Sequence, residues 1–170
     1  MKGKISYYKS HIGEILIIIE NGYLVGLYFV GQKHFIEINR NDYVVDDNNE
    51  LIKRTKEFLD AYFSGLNPKI ENIPLFLKGT NFQKLVWDEL LNIPYGETRS
   101  YGDIAKKIAL KMHKEKMSSR AVGSAIGKNP ISIIVPCHRV IGKNGALTGY
   151  AGGIDKKKFL LNLENKNEKF

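Results

Sequence analysis

The stretch from Ser100 to Pro130, "SYGDIAKKIALKMHKEKMSSRAVGSAIGKNP", decides the architecture of the C-terminal half of the chain. Ser100 followed by Asp103 at the third helical position forms a capping pair, which predicts that a helix begins here. Further along the stretch, a run of small residues predicts another short helix, which carries one arginine, Arg120, and ends before Pro130. Short helices in close succession predict a helix-turn-helix, with Arg120 near the N-terminus of the recognition helix.

A further helix is predicted upstream, within the stretch of residues 80–97 and ending before Pro94. Thr80 and Gln83 have the spacing of a capping box, and Pro94 ends the run. The helix-turn-helix interpretation has one alternative, in which the small residues at 119–127 only allow helices to pack closely. The sequence leaves both interpretations open.

The N-terminal half instead alternates strand-like runs that are rich in β-branched and aromatic residues. Asn21-Gly22 lies between two of these runs and is a strong signal for a two-residue hairpin. The pattern therefore predicts an antiparallel meander. Its strands are expected at residues 4–10, 14–20 and 23–30.

A helix is predicted after the strands, over residues 48–66, because apolar side chains recur there at helical spacing and Gly65 suits its C-terminus. Residues 38–49 are rich in Asn and Asp and are interpreted as a loop. Together these features predict an α+β protein. We expect a domain of antiparallel sheet plus helix over residues 1–76, followed by a mostly helical domain over residues 77–170.

Charge divides the two halves as well. The chain of 170 residues has a net charge of +8, and residues 1–80 contain ten basic and ten acidic side chains. Residues 81–170 contain sixteen basic and eight acidic ones, so the whole excess lies there. A basic half indicates a polyanionic partner, most often nucleic acid, or a lysine-rich solvated surface. No apolar run suits a membrane span or a signal peptide, so we expect a cytoplasmic protein.

The only cysteine, Cys137, follows a continuous apolar run in "ISIIVPCHRV", residues 131–140. A lone cysteine forms no internal disulfide, so it is either a buried small hydrophobe or a reactive thiol. His138 is placed to act as a base, while Arg139 and Lys143 add positive potential. Neighbouring side chains of an extended chain point to opposite faces. Direct coupling of Cys137 and His138 therefore requires a turn after the proline, or a bridging water.

Residues 141–153, "IGKNGALTGYAGG", follow the cysteine and contain five glycines and one aromatic residue, Tyr150. Such a segment buries little apolar surface and is predicted to be a loop. Glycine lets the backbone approach a flat ligand closely, so the loop could form one wall of a pocket for a base. The alternative is a simple connector to the last helix.

The signature Pro136-Cys137-His138-Arg139-Val140, with "GYAGG" after it and "SRAVGSAIGKNP" before it, closely resembles the methylated-DNA:protein-cysteine methyltransferases, or O6-alkylguanine-DNA alkyltransferases. The match runs from about Phe82 to Glu164. The N-terminal half is similar to the family's ribonuclease-H-like domain in element order. The resemblance implies a suicide repair protein, which moves an alkyl group from O6-alkylguanine or O4-alkylthymine in duplex DNA onto its own cysteine.

The resemblance also implies roles for individual residues of the site. Cys137 takes the place of the alkyl acceptor, and His138 that of the partner that activates it through a water. Glu164 takes the place of the orienting carboxylate, and Asn129 that of the asparagine that holds the turn around the cysteine. The backbone carbonyls of Cys137 and Val140 are expected to accept from the guanine amino group.

The remaining implied roles concern DNA and substrate. Arg120 resembles the arginine that fills the vacated base stack from the minor groove after the nucleotide flips. Tyr101 resembles the tyrosine that aids flipping and donates a hydrogen bond to the guanine. Ala121 and Gly123 match the small residues that let the family's recognition helix lie close in the minor groove. Tyr150, Ala151 and Gly152 match the family's substrate-binding loop.

Two departures from the family pattern stand out. The chain is about five residues longer between Tyr101 and Arg120, so the turn before the recognition helix is expected to be extended. Ser119 also replaces a more usual alanine. We expect a monomer without a small-molecule cofactor. We also expect no metal, because the cysteine ligands of the zinc that some family members carry are absent.

Three other functions compete with alkyl transfer. The related alkyltransferase-like proteins only bind alkylated guanine, but they lack the cysteine that this chain has. A helix-turn-helix regulator with a structural cysteine would leave the Cys-His-Glu set unused. A Cys-His hydrolase would turn over repeatedly, whereas a methylated cysteine has no route to hydrolysis.

Overall fold

A computed structural model describes residues 2–166 and 169–170. The chain divides into two compact units: one comprises the residues up to Lys78 together with Pro130–Ser132, and the other comprises Gly79–Asn129 with the residues from Ile133 onward. Within the described ranges, no helix is long and apolar enough to cross a membrane.

The first unit contains a four-stranded sheet in the order β3-β2-β1-β4. The first three strands form the predicted antiparallel meander, and Asn21 and Gly22 adopt positive φ angles of 49° and 82° in the hairpin. Those signs are the ones that a tight hairpin turn requires. The three strand predictions are confirmed: β1 spans Gly3–Ser10, β2 Gly13–Glu20 and β3 Tyr23–Phe29.

The interpretation of residues 38–49 as a loop throughout is wrong. Tyr43–Val45 form a short strand, β4, which pairs in parallel with β1 from Gly3 to Ile5. The sheet is therefore mixed rather than purely antiparallel. Three β-capable residues between Asn and Asp clusters are too few for a periodic pattern to detect, and the pairing depends on the distant β1.

Both faces of β2 are buried, which explains why its sequence does not alternate between apolar and polar residues. One face, with Leu16 and Ile18, lies in a cluster that the partly buried Phe35 and Ile36 complete. Helix α1, Glu50–Phe63, packs against β1 and β2. The predicted helix is thus confirmed.

The caps of α1 explain its limits. The side chain of Asn49 accepts hydrogen bonds from the backbone N–H groups of Leu51 and Ile52 at the start. At the end, Ser64 is the C-cap and Gly65 adopts a positive φ of 81°. Glycine favours that left-handed conformation, so the helix ends there.

The second unit is mostly helical, as predicted. Capping boxes at Thr80 and Ser100 start α2 and α3, with side-chain and backbone bonds in both directions. Both capping predictions are confirmed. The helices are α2 Asn81–Leu90, α3 Tyr101–Lys111, α4 Ser119–Gly127 and α5 Ile154–Glu164.

Helices α2, α3 and α4 pack on one another, and the indole N–H of Trp87 donates to the carbonyl of Ala125 at 2.8 Å. Helix α3 gives way to a turn over residues 112–118, in which His113 has a positive φ of 52°. Ser118 then caps α4 through the backbone N–H of Ala121. The two helices and their long turn form the predicted helix-turn-helix arrangement.

A small parallel ladder joins two distant parts of the second unit. Strand β5, Arg99–Ser100, pairs with β6, Val140–Ile141. Because β5 precedes Tyr101 directly and β6 follows Cys137 by three residues, the ladder brings the first turn of α3 beside the cysteine segment.

Candidate active site

The segment that carries the cysteine is buried throughout, from Asn129 to His138. Ile133 has a positive φ of 71°, which is uncommon for a β-branched residue and costs on the order of 1–3 kcal/mol. After Pro136 the chain closes a single 3₁₀ turn, Cys137–Arg139, in which the N–H of Arg139 donates to the carbonyl of Pro136 at 3.0 Å. The turn required by the Cys-His pairing is therefore present.

The thiol of Cys137 is held by the side chain of Asn129. The amide Nδ2 of Asn129 lies 3.1 Å from Sγ and donates to the carbonyl of Val135 at 2.8 Å. Burial raises the pKa of the Cys137 thiol, while the Asn129 amide and the charge of Lys157 act in the opposite direction. The resting thiol is thus protonated, and its ionisation requires a base.

The imidazole of His138 is fully buried and its Nε2 lies 2.6 Å from Oε1 of Glu164. Burial lowers the pKa of His138 against the attraction of the carboxylate, so the ring is neutral at neutral pH. A neutral ring that donates from Nε2 carries its basic lone pair on Nδ1. Glu164 therefore sets the tautomer that a base at this position needs.

Glu164 is also clamped by Arg139. Nε and Nη2 of the guanidinium lie 2.8 and 3.0 Å from the two carboxylate oxygens, and Nη1 donates to the carbonyl of Ile93. The backbone N–H of Gly96 donates to Oε2. Burial alone would raise the pKa of Glu164, but His138 and Arg139 hold it well below its usual range. The carboxylate is ionised and fixed in place.

Lys157 is a buried lysine that sequence reasoning missed. Its ammonium Nζ donates to the backbone carbonyls of Val140 at 2.5 Å, Thr148 at 3.1 Å and Gly149 at 3.2 Å. Burial lowers its pKa to about 8, and the negative charge of a Cys137 thiolate would raise it. The side chain ties the glycine-rich loop to the cysteine segment and places a positive charge near the thiol.

The signal for Lys157 was available in the helical period of α5. Residues 157, 160, 161 and 164 follow the i, i+3, i+4, i+7 spacing of one helix face, and all four are buried. Leu160 and Leu161 on that stripe predict burial for their neighbours on the same face. A lysine and a glutamate on a buried stripe indicate charged partners inside the protein.

Tyr101 lies at the first position of α3 and reaches the glycine-rich loop. Its hydroxyl donates to the carbonyl of Thr148 at 2.9 Å, and Nζ of Lys157 lies 5.7 Å from its ring centroid. A Cβ atom placed on Gly123 would lie 3.7 Å from the tyrosine ring, so α4 passes close to it. Burial raises the pKa of Tyr101, which keeps the hydroxyl protonated as a donor.

The predicted DNA contacts lie on the outer side of α4. Arg120 and Ala121 are exposed in its first turn, while Gly123 is half-buried against Tyr101. The structure thus places Arg120 and Ala121 at the surface and apart from the buried cluster around Cys137.

The predicted substrate loop lies directly before α5. Tyr150, Ala151 and Gly152 are half-buried, and the N–H of Gly153 closes their turn on the carbonyl of Tyr150 at 3.0 Å. The two carbonyls expected to accept from guanine already have donors in this structure. That of Cys137 accepts from the N–H of Val140, and that of Val140 from Lys157. Each oxygen has a second lone pair for a further donor.

Comparisons with known proteins agree with this site. The family model described as "6-O-methylguanine DNA methyltransferase, DNA binding domain" matches residues 81–166. The model described as "6-O-methylguanine DNA methyltransferase, ribonuclease-like domain" matches residues 4–77. The two matches confirm the α+β fold class with a ribonuclease-like first half.

Relatives of similar length are known. A methylated-DNA--protein-cysteine methyltransferase of Methanosarcina acetivorans is 48% identical over 157 residues, which cover 92% of this chain and 95% of that protein. One from Mycobacterium tuberculosis is 57% identical over 106 residues, 62% of this chain and 61% of that protein.

Solved structures are similar as well. A crystal structure of Mycobacterium tuberculosis OGT in complex with DNA has a TM-score of 0.83 at 41% identity and covers 98% of this chain and 95% of that chain. An O6-methylguanine DNA methyltransferase from Methanococcus jannaschii has a TM-score of 0.67 at 32% identity, with 97% and 96% covered. The resemblance drawn from the cysteine signature is confirmed: the chain belongs to the 6-O-methylguanine DNA methyltransferase family.

Proposed function

We propose that this protein repairs DNA by transferring the alkyl group of O6-alkylguanine, and of O4-alkylthymine, to its own Cys137. The observation that carries the proposal is the buried thiol beside a neutral histidine whose Nε2–H is committed to Glu164. The His138–Glu164 pair can accept the proton of the thiol at the moment of attack. The resulting thiolate is the nucleophile that a displacement at carbon requires. Membership of the family supports the same reaction.

The reaction balances without any further reagent. His138 takes the proton of the Cys137 thiol through a bridging water, and the sulfur attacks the alkyl carbon in line with the C–O6 bond. That bond breaks, its electron pair stays on the guanine, and the guanine takes up one proton from solvent while His138 releases one. The Tyr101 hydroxyl, which donates to the carbonyl of Thr148 in the free protein, releases that bond and donates to the departing guanine. The product thioether is stable, so each molecule reacts once.

DNA reaches the site by nucleotide flipping. The thiol is buried, so a base inside a duplex must leave the stack to meet it, at a cost of a few kcal/mol. Arg120 in the first turn of α4 fills the vacancy from the minor groove, and the small side chains of Ala121 and Gly123 let the helix approach. Tyr150, Ala151 and Gly152, with the carbonyls of Cys137 and Val140, bind the extruded base.

Partner and location follow from the same chemistry. Double-stranded DNA that contains the lesion is the substrate, and the protein acts on it as a monomer. The transfer step balances without a metal or small-molecule cofactor, so none is included in the proposal. The excess of basic residues in the second half suits a polyanion. A DNA-repair protein without a membrane role is expected in the cytoplasm.

The test is the intact mass of the protein after mixing with a duplex that contains one O6-methylguanine. The wild type should gain the mass of one CH₂ group per molecule, on the peptide that contains Cys137. Cys137→Ser should gain nothing and still bind the duplex. A wild type that binds the lesion tightly without gaining mass would overturn transfer in favour of a damage sensor, and repeated release of product would indicate a hydrolase.

A further inference from the structure

The segment from the second half of α3 through the turn to the start of α4 carries much of the charge of the protein. Residues 106–120 contain six basic side chains and one acidic side chain, which together account for five of the eight net positive charges of the chain. A charge density of this kind over one short segment attracts a polyanion far more strongly than the same charges spread over the whole surface.

Internal ion pairs use only part of this charge. Lys107 and Lys111 lie 2.8 and 2.6 Å from the two carboxylate oxygens of Glu89, which is buried on α2. Both lysine side chains remain partly exposed, but their ammonium groups are paired with this carboxylate. Lys106, Lys114 and Lys116 are exposed, and no ion pair within the described residues holds them.

The three exposed lysines stand around one groove between α3 and the turn. Gly102, Ala105 and Ala109 of α3 line the groove, together with residues from the turn and the first residue of α4, Ser119. Leu110 is 75% exposed at its edge. The remaining lining residues are Lys106, Lys114, Glu115, Lys116 and Met117.

We propose that this groove, lined by residues 102–119, binds the sugar-phosphate backbone of the duplex beside the flipped nucleotide. The proposal rests on the proposed function and extends its DNA contact beyond the recognition helix. Ser119 belongs to the groove and directly precedes Arg120, so the groove is continuous with the DNA-facing turn of α4. The lysine ammonium groups meet phosphates, and the apolar lining packs against deoxyribose.

The extended turn therefore acts as an affinity device and not as part of the chemistry. Phosphate contacts carry no sequence information but release counterions, so their number sets the salt dependence of binding. The one carboxylate in the groove, Glu115, opposes the lysines, which still outnumber it three to one.

The test compares two triple variants from which the same charge is removed. Lys106→Gln, Lys114→Gln and Lys116→Gln are combined in one, and the exposed Lys2, Lys9 and Lys33 of the first unit are changed to Gln in the control. Affinity for a short duplex with one O6-methylguanine is measured over a range of salt concentrations, with Cys137→Ser added to prevent transfer. The slope of log K against log salt should fall by about 0.9 for each phosphate that a lysine no longer neutralises, or about 2.7 for three.

The control should keep a slope close to that of the parent, and both triple variants should unfold at the parent's midpoint because the changed side chains are exposed. In proteins that keep Cys137, the methyl-transfer rate at saturating duplex should match that of the wild type. An unchanged slope in the groove variant, or an equal decrease in the control, would overturn the proposal. Absence of methyl transfer in the unmodified protein would refute the proposed function. The salt dependence of binding would still test the groove, because it is measured without transfer.

Discussion

The two charged regions of the second unit are built on opposite principles. In the cluster around Cys137, Glu164 and Lys157 are buried and Arg139 is mostly buried, and each of the three is hydrogen-bonded to a fixed partner. In the second half of α3 and the turn that follows it, Lys106, Lys114 and Lys116 are exposed to solvent around a groove. The first region needs charges in fixed positions, whereas the second needs only enough of them on one face.

This difference predicts how each region fails. Removing one partner of a buried pair leaves a charge uncompensated, which typically costs about 3–5 kcal/mol. Removing one exposed charge changes a long-range attraction that salt already screens. Changes near Cys137 should therefore be large and dependent on pH, and changes in the groove graded and dependent on salt.

The largest effect is expected for Glu164→Gln. The amide leaves the Arg139 guanidinium without its counter-charge and no longer stabilises the imidazolium that forms when His138 takes a proton. The free energy of unfolding should fall by about 3–5 kcal/mol, and the transfer rate constant by about 10²–10⁴-fold, the range for loss of general base catalysis. Denaturant unfolding and single-turnover methyl transfer measure the two.

Glu97→Gln is the matched control, because Glu97 pairs with Arg99 at 2.7 Å in a half-exposed position. This variant should lower the free energy of unfolding by less than about 1 kcal/mol.

The stabilising effect of Glu164 should also depend on pH. Its pKa is lowered in the folded protein, so its stabilising contribution is complete above the ordinary value of 4.5 and is lost as the pH falls below it. A difference between wild type and Glu164→Gln that persists undiminished in strong acid would contradict the ion-pair explanation.

A smaller effect is expected for Lys157→Met, which keeps the unbranched shape of the side chain up to the ε position and removes the ammonium group. The positive charge of Lys157 lowers the pKa of the Cys137 thiol, so its loss should raise that pKa. Each unit of increase reduces the thiolate fraction at neutral pH about tenfold. The transfer rate should fall accordingly, and its rising limb against pH should move to higher pH.

The pH profile separates this electrostatic role from a structural one. If Lys157 only ties the loop through the carbonyls of Val140 and Thr148, the variant's rate will stay low in alkaline buffer. If it acts on the thiol, the rate will recover there. Lys158→Met is the control, since Lys158 is exposed on the same helix and carries the same charge.

Short-range rules predicted much of this molecule, because their causes lie within a few residues. The capping boxes at Thr80 and Ser100 and the hairpin at Asn21-Gly22 each depend on local backbone bonds. Strand β4 escaped prediction because its only reason to be a strand is its partner β1, some forty residues away.

The site was predicted in part, from a family signature and not from short-range rules. The signature around Cys137 brought the resemblance, and the resemblance supplied roles for His138 and Glu164, which the structure brings within 2.6 Å of each other. Arg139 was interpreted as a source of positive potential, although its guanidinium binds Glu164 directly. No local pattern shows that bond, because its partner lies 25 residues further along on another helix.

The smallest of the predicted effects concerns Arg120, on the exposed side of the comparison. Arg120→Ala removes a side chain that is solvent-exposed in the free protein, so stability should hardly change. If the guanidinium fills the stack that the flipped base leaves, its loss removes part of the compensation for unstacking. Transfer from duplex DNA below saturation should then fall on the order of tenfold, a fraction of the few kcal/mol that flipping costs.

A single-stranded substrate distinguishes this role from simple attraction. An O6-methylguanine in a single strand needs no extrusion, so Arg120→Ala should react with it almost as fast as the wild type. A variant that reacts slowly with both substrates would show that Arg120 contributes charge and not a stacking partner. Arg54→Ala, at an exposed position of α1, removes the same charge and should leave both rates unchanged. The ratio of the duplex and single-strand rates therefore reports the base stack alone, separately from the buried cluster that performs the chemistry.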